Sequence, residues 1–170
     1  LILGIGAGWN VEEMANHGAS FEHRWAIVRE KVLAMKAIWT EDAAEFHGKH
    51  VNFDPIWSWP KPVQPGGPPI WLGANSKWVF DRVADYCEGW MPIGGRGWDV
   101  LETLPRFRQM AAEADRDPDS MPVSIFGSPD DSDTLKSYRD AGVARTVFML
   151  PSADRDEILP LLDQYAASMV

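Results

Sequence analysis

The sequence predicts an α/β fold, namely five successive β–α units that form the C-terminal part of an eight-fold TIM (β/α)8 barrel. Beyond a proline-rich loop, apolar runs alternate with helical patterns, and this alternation indicates a parallel sheet with right-handed crossovers. The chain opens inside an apolar run, and three more units of about 30 residues each would bring it near the roughly 250 residues of a barrel. A doubly wound sheet would show the same alternation. We predict units four to eight in a single domain, residues 1–170, with the first three units absent.

The opening segment, LILGIGAGWN at residues 1–10, is typical of a strand that is rich in glycine. Gly4, Gly6 and Gly8 alternate with larger residues, so an extended chain would present all three on one face of the sheet. Glycine weakens a strand unless a backbone or a ligand approaches closely. This bare face is therefore a candidate ligand floor, with tight packing at a barrel corner as the alternative. The spacing does not fit G-x-G-x-x-G, because Trp9 or Val11 occupies the position of its third glycine.

The remaining elements follow in order along the chain. An apolar stripe at steps of three and four from Phe21 to Trp39 predicts a helix of about 20 residues that begins beyond the helix-start residue Asn10. Residues 44–53 predict a small hairpin outside the main sheet, and the prolines from Pro55 to Pro69 predict an irregular, functional loop. The later units are predicted with strands at 70–74, 89–93, 123–127 and 146–150 and with helices at 76–85, 100–114, 132–141 and 154–168.

Composition excludes several functional classes. The 170 residues carry a net charge of −9, which argues against a nucleic acid or an anionic membrane as a partner. No apolar run approaches the roughly 20 residues of a membrane span, and the single cysteine, Cys87, fits a reducing cytoplasm. The four histidines form no metal-binding pattern, and neither a hydrolase elbow nor a triphosphate-binding loop occurs. The acidic stretches 130–133 and 154–157 are predicted to stabilise helix starts.

Six segments carry a resemblance to a known family. In order, they are GIGAGWNVEE, the F-x-x-R at residues 21–24, IWTED, FHGKHVNF, KPVQPGGPPIWLGANS and EGWMPI. Together they resemble the luciferase-like monooxygenase superfamily, and most of all its branch of oxidoreductases that depend on the deazaflavin coenzyme F420. The resemblance covers the whole chain. It implies a barrel whose cofactor lies across the carboxyl ends of the strands, with a hairpin and loop inserted between the first two strands present.

The resemblance also implies two cofactor-binding segments. The positions that receive the cofactor's ribityl chain and phosphate correspond to Gly6, Ala7, Gly8, Trp9 and Asn10, and to Gly73, Ala74, Asn75 and Ser76. The second segment suits a phosphate by itself, because Gly73 lets the backbone come close and Asn75 or Ser76 can cap the next helix, whose first N–H groups attract anions. The alternative is an ordinary turn between a strand and a helix. Many barrels bind phosphate after strands seven and eight instead, but those loops are acid-rich here.

Two further positions bear on the substrate. Trp9 stands where some relatives carry a catalytic carboxylate, which argues against a sugar-phosphate dehydrogenase of that type. We expect Trp9 either to pack beside the cofactor ring or to bury against the following helix. Arg96 corresponds to a cation that contacts an anionic substrate in some relatives, with a solvated loop arginine as the alternative. The residues identify no catalytic acid or base.

The resulting hypothesis is a hydride transfer between coenzyme F420 and a small organic substrate, in which the cofactor performs the redox step. A monooxygenase that uses flavin mononucleotide (FMN) shares the scaffold and is the first alternative. A non-catalytic, truncated half-barrel with exposed strand edges is the second. Relatives are often dimers or larger, so the resemblance is compatible with a homo-oligomer.

Overall fold

The computed structural model describes residues 1–95 and 97–168, and the chain divides into two compact lobes. Leu1–Ile70 form the N-lobe and Trp71–Val170 form the C-lobe. The N-lobe contains β1 (Leu3–Ile5), α1 (Val11–Asn16), α2 (Arg24–Thr40), β2 (Ala44–His47) and β3 (Asn52–Ile56), and β4 (Ile70–Leu72) spans the division. The C-lobe continues with α3 (Val79–Tyr86), β5 (Gly89–Trp90), α4 (Val100–Glu113), a short 3-10 helix (Pro118–Ser120), β6 (Ser124–Phe126), α5 (Ser132–Asp140), β7 (Arg145–Val147) and α6 (Arg155–Ala167).

The long helix α2 confirms the helix that the apolar stripe predicts, and it buries Val32 and Ala34. At its first turn, the guanidinium of Arg24 lies 3.7 Å from the centre of the Phe21 ring and donates to the Phe21 carbonyl at 2.7 Å. At its end, the Lys61 ammonium donates to the Ile38 carbonyl at 2.7 Å. A cation beside the last carbonyls stabilises a helix end.

The predicted hairpin is confirmed as the antiparallel pair β2 and β3, a two-stranded sheet of its own. The Phe46 and Phe53 rings stack across it, with 6.5 Å between their centres. Its turn is held by the Glu30 carboxylate of α2, which accepts from the backbone N–H groups of Lys49, His50 and Val51. The proline-rich loop begins at residue 57, two residues later than expected, because Pro55 and Ile56 belong to β3.

The C-lobe confirms the predicted alternation of helices with parallel strands. β4 pairs in parallel with β5, β6 pairs in parallel with β7, and a parallel bridge joins Trp90 of β5 to Val123. The core contains an aromatic group in which the ring centres of Phe80, Trp90 and Phe107 lie 5.0–5.4 Å apart. Trp90 and Phe107 are completely buried. Edge contacts between aromatic rings at this spacing add about 1 kcal/mol each to the burial of the rings.

The strands are shorter than the apolar runs that predict them. β4 ends at Leu72 rather than at residue 74, and β5 ends at Trp90 rather than at residue 93. Beyond β5 the parallel pairing resumes at Ile93, which forms a single bridge with Phe126 of β6, so the predicted strand 89–93 is interrupted rather than simply shorter. The residues beyond β4 instead turn toward Ile93. The arrangement of these elements in a barrel stays a prediction.

Candidate functional site

The two segments that were predicted to bind a cofactor each follow a strand, and they belong to different lobes. Residues 6–10 follow β1 in the N-lobe, and residues 73–76 follow β4 in the C-lobe. In the N-lobe, β1 lies beside the start of β4, because the Leu3 N–H donates to the Pro69 carbonyl at 2.9 Å.

The first segment turns from strand to helix at Gly8. Its φ of +78° lies in the left-handed region, and a side chain there would approach the Met14 sulfur to 3.0 Å. The prediction that three glycines share one extended face is therefore wrong for Gly8. Asn10 caps α1 as predicted, because its side-chain oxygen accepts from the Glu13 N–H at 3.0 Å. Trp9 is 85% exposed, so of its two predicted placements burial against the following helix is not observed, and packing beside a cofactor ring stays a prediction.

The second segment is fixed by Asn75, whose side chain makes two hydrogen bonds to one residue. Its amide nitrogen donates to the Ile93 carbonyl and its amide oxygen accepts from the Ile93 N–H, both at 2.8 Å. We call this pair the Asn75–Ile93 clasp. The Trp90 indole adds a third tie, because it donates to the Ala74 carbonyl at 3.0 Å. The loop after β4 is thus attached to the chain after β5.

The clasp replaces the predicted helix cap. α3 begins at Val79, with Trp78 at the N-cap position and no side-chain cap, so the expectation that Asn75 or Ser76 caps it is wrong. The Ser76 carbonyl accepts from the Val79 N–H at 3.0 Å, and its hydroxyl has only a 3.5 Å contact with Arg82. The Asn75 side chain cannot serve the helix because Ile93 uses both of its polar atoms.

Ahead of α3, a run of backbone donors lacks partners among the described residues. Within the described part of the chain, no hydrogen bond is found for the N–H groups of residues 74 to 78. These groups precede the N-terminus of α3, where the helix dipole favours negative charge. Lys77 lies within the run, and its ammonium is 4.5 Å from the centre of the Trp78 ring. We call residues 73–78 the anion turn. Sequence reasoning stopped at Ser76 and missed Lys77, although a lysine directly after GANS is a visible signal.

The loops after the next three strands line a cleft. The Gly94 N–H donates to the Phe126 carbonyl at 2.8 Å and the Gly127 N–H to the Val147 carbonyl at 2.9 Å, which ties the ends of β5, β6 and β7 together. The cleft holds about 1120 Å³ and is open to solvent. We call it the β5–β7 cleft, and its lining includes Trp98, Asp99, Glu102, Ser128, Asp130, Asp133, Tyr138 and Tyr165.

The acidic helix starts are confirmed in part. Asp131 caps α5, because its carboxylate accepts from the Thr134 N–H at 2.8 Å. Hydrogen bonds from the Thr134 side chain and from its backbone N–H lower the pKa of this carboxyl group. Asp154 occupies the N-cap position of α6 without a side-chain hydrogen bond. Asp99 caps α4 by accepting from the Leu101 N–H at 2.8 Å.

Other predicted features can be placed briefly. Arg96 lies outside the described residues. Among the described residues, no three metal-ligating side chains cluster, and no helix is both long and apolar enough to cross a bilayer. His50 is half-buried, and its ring centre lies 5.3 Å from that of His23.

Comparisons with known proteins agree on one family. The family model described as luciferase-like monooxygenase matches residues 1–149. An uncharacterized protein of Mycobacterium tuberculosis is 31% identical over 169 residues, which are 98% of this chain and 58% of that protein. An F420-dependent glucose-6-phosphate dehydrogenase of Mycolicibacterium smegmatis is 28% identical over 127 residues, which are 71% of this chain and 37% of that enzyme.

Solved structures share the fold. A monooxygenase from Streptomyces bottropensis superposes on 99% of this chain with a TM-score of 0.65 and 18% identity, over 52% of its own length. An F420-dependent secondary alcohol dehydrogenase, solved with an F420–acetone adduct, superposes on 99% with a TM-score of 0.59 and 16% identity, over 61% of its length. The chain therefore spans between about a third and three fifths of the length of these proteins.

Proposed function

Because this chain belongs to the luciferase-like monooxygenase family, we propose that it carries the phosphate-binding part of an oxidoreductase that transfers a hydride between coenzyme F420 and a small organic substrate. The observation that carries the proposal is the anion turn. A relative with 28% identity uses F420 according to its name, and this supports the choice of cofactor.

The anion turn fits a phosphate by its chemistry. Consecutive N–H groups ahead of a helix bind phosphate through several short hydrogen bonds without any need for a net positive protein. The donors at residues 74 to 78 have no partner among the described residues, and the Asn75–Ile93 clasp fixes the backbone that carries them. Fixed donors lose little conformational entropy when an anion binds. The ammonium of Lys77 would add a charge-assisted hydrogen bond.

The protein's own residues would bind and orient the cofactor. Gly73, Ala74, Asn75 and Ser76 would contribute backbone donors and a close approach to the phosphate, and Gly6, Ala7, Gly8 and Asn10 stay predicted contacts for the same cofactor. Trp9 has most of its surface free to pack against a planar ring. When bound, the deazaflavin supplies the hydride chemistry, and the polypeptide supplies binding, orientation and exclusion of water.

A titration tests the proposal with two cofactor pairs. F420 and the deazaflavin that carries only its ribityl chain, without phosphate, are titrated into the chain, and FMN and riboflavin form the second pair. We expect F420 to bind at least about 10-fold tighter than its phosphate-free partner, because one hydrogen bond to a charged group contributes about 1.5–3 kcal/mol.

A variant locates the effect at the anion turn. Lys77→Gln removes one cation, and we expect it to weaken F420 binding about 10-fold. The affinity for the phosphate-free deazaflavin should stay unchanged. Lys31→Gln, an exposed change on α2, is the matched control. Equal affinity for both members of a pair would refute phosphate binding at this turn. Tight binding of FMN without binding of F420 would favour the monooxygenase alternative, and binding of neither cofactor would favour the non-catalytic one.

A flavin monooxygenase remains the second candidate. The Streptomyces monooxygenase shares the fold at a TM-score of 0.65, and the anion turn suits the phosphate of FMN as well as that of F420. A homo-oligomeric state stays a prediction. The contact of Arg96 with an anionic substrate also stays a sequence-based prediction, and the carboxylates of the β5–β7 cleft disfavour it.

A further inference from the structure

The β5–β7 cleft has the place and shape of a ligand site. It lies at the carboxyl ends of three parallel strands, where ligands bind in α/β sheets and barrels. Its volume of about 1120 Å³ is sufficient for a small organic molecule together with water. The hydrogen bonds from Gly94 and Gly127 fix the strand ends beneath it.

The charge of the lining discriminates between ligands. Four of the described lining residues are carboxylates, namely Asp99, Glu102, Asp130 and Asp133, and no lysine or arginine occurs among the described lining residues. Lys136 offsets part of this charge, because its ammonium lies 3.4 Å from the Asp133 carboxylate. Arg96, which is outside the described residues, could offset one more carboxylate at most. The balance is negative, so an anion that enters the cleft meets repulsion.

The neutral groups of the cleft suit an uncharged or a cationic ligand. Burial raises the pKa of the Tyr138 phenol, and the negative charge of Asp99 raises it further. The phenol therefore stays protonated near neutral pH and can donate a hydrogen bond. The faces of Trp98 and Tyr138 can attract a cation. The Tyr165 hydroxyl already donates to the Met149 carbonyl at 3.1 Å.

One carboxylate oxygen also lacks a partner. Asp130 Oδ2 accepts from the Gln164 side chain, whereas Oδ1 is shielded from solvent and has no hydrogen bond to any described residue. A carboxylate oxygen that is shielded from water is stabilised by a donor or a positive charge. Because this oxygen is shielded, an ammonium group in the cleft would stabilise the carboxylate through its charge at short range rather than by contact with Oδ1.

We propose that the β5–β7 cleft binds the organic substrate of the proposed reaction, and that this substrate carries no negative charge and binds more tightly when it carries a positive one. The inference rests on the proposed function, because the ligand of the cleft is a substrate only if the chain belongs to the proposed oxidoreductase. It predicts that this chain selects against phosphate esters, although a named relative is a glucose-6-phosphate dehydrogenase.

The test uses three probes with one carbon ring: cyclohexylamine, cyclohexanol and cyclohexyl phosphate. Each is titrated into the 170-residue chain without cofactor, and backbone amide shifts report both the affinity and the location. We expect the amine to bind at least about 10-fold tighter than the phosphate ester, with the largest shifts at Ser128 and in α5, and we expect added salt to reduce its affinity.

Two variants separate the charge from the hydroxyl. Glu102 is exposed and makes no side-chain hydrogen bond in the described structure, so Glu102→Gln should weaken the amine several-fold and leave the alcohol unchanged. Tyr138→Phe should weaken the alcohol. Asp156→Asn, an exposed carboxylate on α6 outside the cleft lining, is the matched control and should change neither.

Three results would overturn the inference: a phosphate ester that binds as tightly as the amine, shifts that lie outside the cleft, or no binding of any probe. The proposed function fails on different evidence, because cofactor binding is measured separately at the anion turn. Tight F420 binding together with a preference for the phosphate ester would refute only the inference about the cleft.

Discussion

Loss of the Asn75–Ile93 clasp should destabilise the C-lobe and expose a specific backbone amide. Asn75→Ala removes two hydrogen bonds of 2.8 Å to a half-buried residue. At about 1 kcal/mol for each bond between neutral groups, the free energy of unfolding should fall by about 2 kcal/mol, which is about a 30-fold change in an equilibrium constant. The effect on anion binding should follow, because the donors of the anion turn would no longer be fixed.

The assay is amide hydrogen exchange at Ile93 combined with urea unfolding. In the native chain the Ile93 N–H donates only to the Asn75 side chain among the described residues, so its protection reports the clasp directly. Asn75→Asp keeps the acceptor but loses the donor and places a negative charge beside the Ile93 carbonyl, so it should retain part of the protection at lower stability. Ser76→Ala, which removes only a 3.5 Å contact, is the control.

Unchanged exchange at Ile93 in Asn75→Ala would refute the reasoning. A loss of stability spread over the whole lobe, with Ile93 affected no more than its neighbours, would also contradict it. In that case Asn75 would contribute to general packing rather than hold the loop after β4.

Two other perturbations test the structural framework. Burial alone would raise the pKa of Glu30. The hydrogen bonds from the N–H groups of His50, Val51 and Lys49 lower the pKa by more than burial raises it, so the net pKa lies below the ordinary value for a carboxyl group. This carboxylate therefore stabilises the hairpin turn fully at pH values above that ordinary pKa, and the stabilisation is lost as the pH falls through the lower pKa of the folded state. The amide chemical shifts of residues 49–51, measured against pH, would report this loss. A flat titration, or loss of the contacts already at neutral pH, would contradict it. Arg116, whose guanidinium donates to the Ala84 carbonyl at 3.1 Å and the Cys87 carbonyl at 2.7 Å, caps the end of α3, and Arg116→Ala should cost about 2 kcal/mol in urea unfolding. The control is Arg139→Ala, which removes an exposed ion pair with Asp140 and should lower the free energy of unfolding by less than about 1 kcal/mol. Equal losses of stability in the two variants would contradict the capping role of Arg116.

The periodic parts of the sequence predicted the fold well. The stripe from Phe21 to Trp39 led to α2, and the run around Gly48 led to the hairpin. In these stretches one local pattern agrees with the tertiary packing, so the pattern is sufficient. Strand ends were less predictable, because tertiary contacts decide where the pairing stops: β5 ends at Trp90, whereas Ile93 pairs again with Phe126 in a single bridge and also binds the Asn75 side chain.

The site shows a limit of a different kind. Asn is one of the residue types that most often cap a helix, and the local sequence around Asn75 therefore predicts a cap. In the structure Ile93, 18 residues away, takes both of its polar atoms. No local pattern reports such a competition, and the outcome left α3 uncapped by any side chain. A cap from Asn75 or Ser76 would have occupied one backbone N–H group at the start of the helix, and that group stays free of a side-chain cap here.

The two proposed ligand sites of the C-lobe use opposite electrostatics within an acidic chain. At the carboxyl end of β4, backbone dipoles and Lys77 favour an anion although the chain carries a net charge of −9. At the ends of β5, β6 and β7, carboxylates that also start helices disfavour one. The preference of the anion turn for an anion depends on short-range hydrogen bonds, whereas the preference of the cleft against one depends on longer-range charge. Added salt should therefore weaken the selection in the cleft more than it weakens phosphate binding at the anion turn. A phosphate-bearing cofactor and a substrate without negative charge would thus be sorted to different strand ends of one lobe, without any need for a net positive surface.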